Sequence, residues 1–182
     1  MKAFEIYADG LPTNSLLNTT FPAINYQDCF TGVFESQNQV TIDDCVFAFF
    51  DCAPAWVSNL LALRNTIVKM LGLKTMTSEN RTELRKKFKV KEGNSLGLFK
   101  ILVKTKQEVI MGVDDKHLNF RVSLLLDQSE KPESYRLSIT TVVQMNNWFG
   151  KLYFMPVKPI HKLIVPVMLR GIIRHLQKPK FK

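Results

Sequence analysis

The alternation of apolar and polar side chains between residues 98 and 145 constrains the fold of this chain more than any other feature. In four successive segments nearly every second residue is apolar, which is the period of a β-strand with one face against a core. The segments are 98–105, 108–113, 118–126 and 135–145, and the stretches between them are short or polar enough for hairpins. The sequence therefore predicts an antiparallel meander with one apolar face and one solvated face.

The apolar residues of these segments are predicted to share one side of the sheet. Charged positions such as Lys100, Arg121 and Arg136 occupy the opposite phase of the alternation. The side chains predicted to form the apolar wall are Phe99, Ile101, Phe120, Val122, Tyr135, Leu137 and Ile139.

A strand and two short helices are predicted before the meander. The strand covers 26–34, and Thr41 ahead of two acidic residues predicts the start of the first helix. Pro54 suits the first position of a second helix, which is predicted to end near residue 71 before Gly72.

Helical spacing returns from Trp148 to Gln177 and predicts a long C-terminal helix. Three prolines within it are predicted to interrupt or kink it, since each lacks an N–H group. Its apolar residues lie broadly on one side, and Leu163 and Val167 are predicted to complete the apolar wall opposite the sheet.

This order of elements is typical of an α+β domain, in which a curved antiparallel sheet wraps around the C-terminal helix. One amphipathic helix is too narrow to cover a long curved sheet, so an apolar cavity between them is predicted as a ligand site. The domain is predicted over 25–177 and includes a basic insertion or flap at 75–95. Residues 1–24 are predicted to form an N-terminal extension, and 178–182 a basic tail.

The charge of the chain is unevenly distributed. The net charge is +9, and no acidic residue follows Glu133. The basic clusters lack interleaved aromatic residues and no nucleic-acid-binding motif is present, so no specific nucleic acid is expected as a partner. The favoured interpretation of the excess is a solvated helix face together with a frayed basic end, and docking to an anionic surface stays open.

Neither a membrane span nor a secretory leader is predicted. The longest apolar run near the C-terminus, Leu163–Leu169, has seven residues, against the ~20 that a span needs. The N-terminus lacks the apolar region of a signal peptide. We therefore expect a cytoplasmic protein whose three cysteines are buried free thiols.

The most suggestive polar group in the sequence consists of Asp115, His117 and Arg121. His117 has the chemistry to move protons, and Arg121 the chemistry to hold a carboxylate. On a strand, both residues would lie on the face opposite Phe120 and outside the cavity. A structural pair between Arg121 and Asp114 or Asp115 is therefore the favoured interpretation.

Motifs for metal, nucleophile or phosphate chemistry are missing from the sequence. The three histidines are scattered, no G-x-S-x-G elbow occurs, and no G-x-G-x-x-G or other glycine-rich phosphate loop is present. His161 and His175 have no acidic residue near them in sequence and are expected on the helix surface or in packing. No metal and no cofactor is predicted.

Eight segments of the sequence occur in a fixed order: 53–57, 61–65, 72–74, 96–99, 114–123, 140–143, 150–154 and 158–165. Together they resemble a bacterial family of domains of unknown function. That family is grouped with the START-like, SRPBCC helix-grip superfamily, which includes polyketide-cyclase-like proteins. The resemblance covers roughly residues 25–175 and implies a helix-grip fold around a hydrophobic cavity, without a defined activity.

Two functions stay open at this point. The first is a non-catalytic module that binds a small hydrophobic ligand in the cavity. The second is a cyclase, dehydratase or hydrolase type of enzyme, as relatives in the superfamily imply, with His117 or Tyr135 acting on the ligand. A polar pair aimed into the cavity would distinguish them, and none is evident from the sequence, so binding is favoured.

Overall fold

The computed structural model describes residues 3–52, 88–97, 99–129 and 131–179 of the chain. Seven strands form one curved sheet in the order β1-β2-β7-β6-β5-β4-β3, and all neighbours are antiparallel. With the long C-terminal helix, the sheet confirms the predicted α+β class and a helix-grip-like arrangement. The strands are β1 (Glu5–Ala8), β2 (Tyr26–Glu35), β3 (Ser95–Leu96), β4 (Phe99–Lys104), β5 (Glu108–Asp114), β6 (Leu118–Gln128) and β7 (Ser134–Met145).

Two α-helices lie in the described ranges. Helix α1 (Ile42–Asp51) begins with a capping box, in which Thr41 accepts from the Asp44 amide and the Asp44 side chain accepts from the Thr41 amide. Helix α2 (Trp148–Leu176) is capped by Asn147, whose side chain accepts from the Gly150 amide at 3.0 Å. The helix predicted over 54–71 and most of the predicted basic insertion lie outside the described residues.

Helix α2 continues through its three prolines without interruption. A proline removes the hydrogen bond to the carbonyl four residues earlier. For Pro156, Pro159 and Pro166 these carbonyls belong to three exposed residues, Leu152, Met155 and Lys162. Because these residues are exposed, water can hydrogen-bond to the freed carbonyl groups, which is consistent with an uninterrupted helix.

The concave inner face of the sheet packs on α1 and on the C-terminal half of α2. As predicted, the alternating side chains of β4, β6 and β7 point to this core rather than to solvent: Phe99, Ile101, Phe120, Val122, Leu137 and Ile139. Gly32 in β2 permits the close approach, since a Cβ there would lie 2.4 Å from Cδ1 of Ile173 on α2.

The outer face of the sheet is not solvated as predicted, because the N-terminal segment covers part of it. A short 3-10 helix (Leu16–Thr19) lies on this face, and Leu17 is fully buried against Ile110 and Val142. Further along the segment, the ring of Phe21 lies 4.8 Å from the Arg121 guanidinium carbon. The described part of the predicted extension thus packs on the domain, and β1 pairs with β2.

A buried carboxylate anchors this segment to the sheet. Glu108 on β5 is 2% exposed and accepts from the Ser15 hydroxyl at 2.6 Å and from the Leu16 amide at 2.8 Å. The hydroxyl of Ser123 on β6 donates to the same carboxylate at 2.5 Å. These charge-assisted hydrogen bonds satisfy Glu108 without a cation and fix the start of the 3-10 helix.

Candidate functional site

A polar group is buried on the inner face of the sheet, which is otherwise almost wholly apolar. Asp28 of β2 and Thr141 of β7 stand opposite each other in the register of these strands. Both side chains lie on the face of the sheet that points to the core. Residues two apart on a strand share a face, and Phe30 and Ile139, which are two residues from Asp28 and Thr141, pack in the core. The Asp28 side chain is 7% exposed and Thr141 is 3% exposed.

Two further side chains converge on the Asp28 carboxylate. The Tyr26 hydroxyl donates to Oδ2 of Asp28 at 2.6 Å, from the inward position next to it on β2. His161 of α2 places its Nδ1 atom 2.8 Å from the same oxygen. Helix α2 thereby closes a Tyr26–Asp28–His161 group across the space between helix and sheet.

Two oxygen atoms of this group lack a partner. Oδ1 of Asp28 and Oγ1 of Thr141 are buried, and neither has a hydrogen-bond partner among the described residues. A buried polar atom left unpaired costs about 1–3 kcal/mol, so native structures leave few of them. The two atoms belong to residues that are paired across β2 and β7 on the same face of the sheet.

The acidity of Tyr26 is altered by these surroundings. Burial of the ring raises the pKa of Tyr26 well above its ordinary value, and the hydrogen bond to Asp28 and the charge of that carboxylate raise it further. The Tyr26 hydroxyl is therefore a hydrogen-bond donor at neutral pH and is not ionised.

An apolar surface adjoins the polar group. In the next inward row of the sheet, Tyr26 pairs with Val143, and Val143 pairs with Phe120. With neighbouring strands ~4.8 Å apart, the backbone of Phe120 lies about 10 Å from that of Tyr26. A row of aromatic rings continues from Phe120. The ring centroid of Phe99 lies 5.9 Å from that of Phe120 and 5.9 Å from that of Phe50 on α1.

These aromatic side chains remain partly open. Phe50, Phe99 and Phe120, with Ile164 of α2, are partly buried and pack against the edge of the main core. We call them the aromatic shelf. The polar group and the aromatic shelf together have the composition of a small-molecule site, mostly apolar with a few hydrogen-bonding atoms.

The predicted polar site of Asp115, His117 and Arg121 does not come together as a site. Arg121 lies on the outer face, as predicted, and pairs with Asp114 at 2.8 Å. It also donates to the Phe120 carbonyl at 2.9 Å and packs under Phe21. This confirms the predicted structural pair and leaves Arg121 buried on the side away from α2.

His117 lies in the β5–β6 hairpin, just before β6, so strand alternation does not place its side chain. Its Nδ1 atom lies 3.1 Å from the amide nitrogen of the Asn147 side chain, and its ring packs on Phe149 at 4.7 Å. Asp115 accepts from the His117 amide at 3.1 Å. Both residues hold the hairpin against the start of α2.

Three residues predicted to wall the cavity have other surroundings. Leu163 and Val167 are 69% and 41% exposed, so that part of the prediction is wrong: they lie on the side of α2 away from the sheet. Tyr135 is buried, but it stacks on Phe34 at the far end of β7 and accepts from the Val40 amide. Its distance along the strand from Thr141 is about 20 Å at ~3.3 Å per residue.

Sequence reasoning missed Asp28, Thr141 and Tyr26 and set His161 aside. His161 has no acidic neighbour in the sequence, but its partner comes from a strand 133 residues away. A signal was present: Asp28 lies between Tyr26 and Phe30 among the alternate positions of β2 that face the core, where a carboxylate needs partners.

Two grooves in the described part of the chain lie elsewhere. One of about 630 Å³ lies between the start of α1 and the β4–β5 hairpin, beside an ion pair of Lys104 with Asp43 at 2.7 Å. Another of about 380 Å³ lies between α1 and the end of α2. Neither lies between the inner face and the middle of α2, so the cavity there stays a prediction. Within the described ranges, no three metal-ligating side chains cluster.

Fold and site define an α+β sheet-and-helix domain with a polar group buried on the helix-facing side of the sheet. The family model described as "Protein of unknown function (DUF2867)" matches residues 20–168. The chain therefore belongs to the DUF2867 family. No curated protein and no solved structure matches the chain significantly.

Proposed function

We propose that this protein binds a small hydrophobic ligand between the inner face of the sheet and α2. The ligand carries one hydrogen-bonding group, which sits at Asp28 and Thr141. The proposal is carried by two buried oxygen atoms on that face that have no hydrogen-bond partner among the described residues, Oδ1 of Asp28 and Oγ1 of Thr141.

The polar end of the site selects a donor. A carboxylate oxygen only accepts, whereas a threonine hydroxyl both donates and accepts. A ligand hydroxyl satisfies both atoms at once, because it donates to Asp28 and accepts from Thr141. A pure hydrocarbon would leave both atoms unpaired and would bind less tightly.

The apolar end of the site supplies most of the binding free energy. Covering ~200 Å² of ligand on the aromatic shelf contributes about 5 kcal/mol before the costs of association. Micromolar affinity needs about 8 kcal/mol. Hydrogen bonds in the buried polar group are therefore required, and their loss is expected to be measurable.

Displacement of a fluorescent probe tests this proposal. The probe is 1-anilinonaphthalene-8-sulfonate, and the competitors are a long-chain alcohol and the alkane of equal length. We expect the alcohol to displace the probe at concentrations at least tenfold lower than the alkane. Asp28→Asn and Thr141→Val are each expected to reduce this preference.

Asp127→Asn is the matched control, since Asp127 lies on β6 and accepts from Asn14 rather than lying beside Asp28. It is expected to keep the preference for the alcohol. Equal displacement by alcohol and alkane, or no displacement by either, would refute the proposal.

A second candidate function is acid–base chemistry on the bound ligand. The observation that favours it is the 2.8 Å contact of His161 Nδ1 with Asp28, since a carboxylate on one ring nitrogen orients the other to exchange a proton. His161→Gln tests it. A catalyst would lose turnover of a converted ligand and keep its binding, whereas a binding module shows no turnover to lose.

A further inference from the structure

The N-terminal half of α2 exposes a stripe of large apolar side chains. Seven large apolar residues of the described chain are exposed, and five of them lie on this helix. Trp148, Leu152, Met155 and Leu163 are 73%, 53%, 68% and 69% exposed. Their spacing of three, four or eight residues places them on one face, which we call the exposed stripe.

Lysines flank the exposed stripe. Lys151, Lys158 and Lys162 are all exposed on the same half of the helix. No acidic residue occurs anywhere after Glu133, so nothing on α2 neutralises them. Exposed Trp and Leu beside lysines, on a helix that carries no acidic residue, are typical of a helix that lies in the interface of an anionic membrane.

The other half of α2 stays in the protein core. Its length and composition would allow α2 to cross a membrane, and among the described helices it is the one for which this holds. However, Leu169, Ile172 and Ile173 are fully buried against the sheet. Crossing the membrane would expose that core, so the helix can lie on a bilayer but not span it.

We infer that the protein docks on anionic lipid membranes through the exposed stripe of α2 and its flanking lysines. The apolar side chains enter the boundary between headgroups and acyl chains, while the lysines contact anionic headgroups. This inference goes beyond ligand binding and does not depend on it, because none of the stripe residues belongs to the buried polar group.

Sedimentation with lipid vesicles tests the inference. One set of vesicles is phosphatidylcholine, and the other contains equal parts phosphatidylcholine and phosphatidylserine. We expect binding to the phosphatidylserine vesicles that weakens as salt is raised. Lys151→Gln with Lys162→Gln is expected to lower the partition coefficient roughly 25-fold, at about fivefold per lysine. Lys158 is left unchanged because it lies 5.7 Å over the Tyr26 ring.

Matched controls distinguish the contribution of the exposed stripe from the effects of charge and hydrophobicity elsewhere on the surface. Lys100→Gln with Lys131→Gln removes the same charge from exposed positions outside α2 and is expected to leave the partition within about twofold. Leu152→Ser with Met155→Ser is expected to lower binding at least tenfold, whereas Ile24→Ser is not. Because the replaced side chains are exposed, the variants are expected to keep their stability.

Four results would overturn the inference. The first is equal binding to both kinds of vesicle, or no binding. The second is a dimer that Leu152→Ser with Met155→Ser converts to a monomer, since a second copy would then cover the stripe. The third is fluorescence emission from Trp148 typical of a buried indole when no vesicles are present, measured in the Trp56→Phe variant. Such emission would mean that the chain itself covers the exposed stripe. The fourth is resistance to alkaline extraction, which would mark a spanning helix.

Discussion

Replacing Thr141 by valine is expected to stabilise the ligand-free protein. The Thr141 hydroxyl is buried and has no hydrogen-bond partner in the part of the chain that the structure describes. The substitution therefore removes a polar atom that costs free energy and puts a methyl group of similar size in its place. We expect the free energy of unfolding to rise by about 1–2 kcal/mol. For a chain of this length, that raises the melting temperature by roughly 2–8 °C.

Thr31→Val is the matched control on the other side of the same sheet. Thr31 is equally buried, but its hydroxyl bonds to the Ser138 hydroxyl at 2.9 Å and to Asp9 at 3.2 Å. Its loss leaves Ser138 buried without this partner and is expected to destabilise by about 1–3 kcal/mol. Calorimetry on refolded, ligand-free protein compares the two variants. A loss of stability in Thr141→Val as large as in Thr31→Val would refute the reasoning.

Three other substitutions or titrations probe the fold and the site. Glu108→Ala leaves the Ser15 and Ser123 hydroxyls and the Leu16 amide without their acceptor. In urea denaturation we therefore expect the free energy of unfolding to fall by about 3 kcal/mol or more, against about 1 kcal/mol for Glu108→Gln. Equal losses in the two variants would contradict the anchoring role of Glu108. Gly150→Ala puts a Cβ 2.1 Å from the His117 carbonyl oxygen, so the start of α2 must shift. We expect the free energy of unfolding to fall by about 2–3 kcal/mol. An unchanged melting temperature would show that the β5–β6 hairpin does not contact α2. Burial, and then Asp28, raise the pKa of Tyr26. Ionisation of Tyr26 therefore leaves the free energy of unfolding unchanged below about pH 10. Above about pH 10 the unfolded chain loses this proton while the folded protein retains it, so the stability falls as the pH rises. Asp28→Asn is expected to lower the pKa of Tyr26, measured by ultraviolet titration of tyrosinate. A titration curve identical to that of the wild-type protein would argue against the hydrogen bond between Tyr26 and Asp28.

The sheet could be predicted from the sequence because the signal is local. Period-two alternation in four segments located β4 to β7 within one or two residues of their observed bounds. The predicted hairpin also suggested that Arg121 pairs with Asp114 or Asp115, and the pair with Asp114 was confirmed. Strand β1 and the 3-10 helix carry no such period, so the covering of the outer face was missed.

The candidate site could not be predicted because it depends on contacts between distant segments. Asp28 and His161 come from β2 and α2, and only the packing angle of the helix brings them together. Periodicity also could not decide which side of α2 faces inward, since this helix has apolar residues on two sides. Leu163 was therefore assigned to the wrong side.

Native mass spectrometry of the freshly purified protein tests the central claim most directly. If the Asp28–Thr141 group and the aromatic shelf hold a small hydrophobic ligand, the wild-type protein should carry a reproducible excess mass. That mass should be released by organic solvent, correspond to an alcohol or a similar amphiphile, and be reduced in Thr141→Val. Wild-type protein that shows only the mass of the bare polypeptide would contradict the claim.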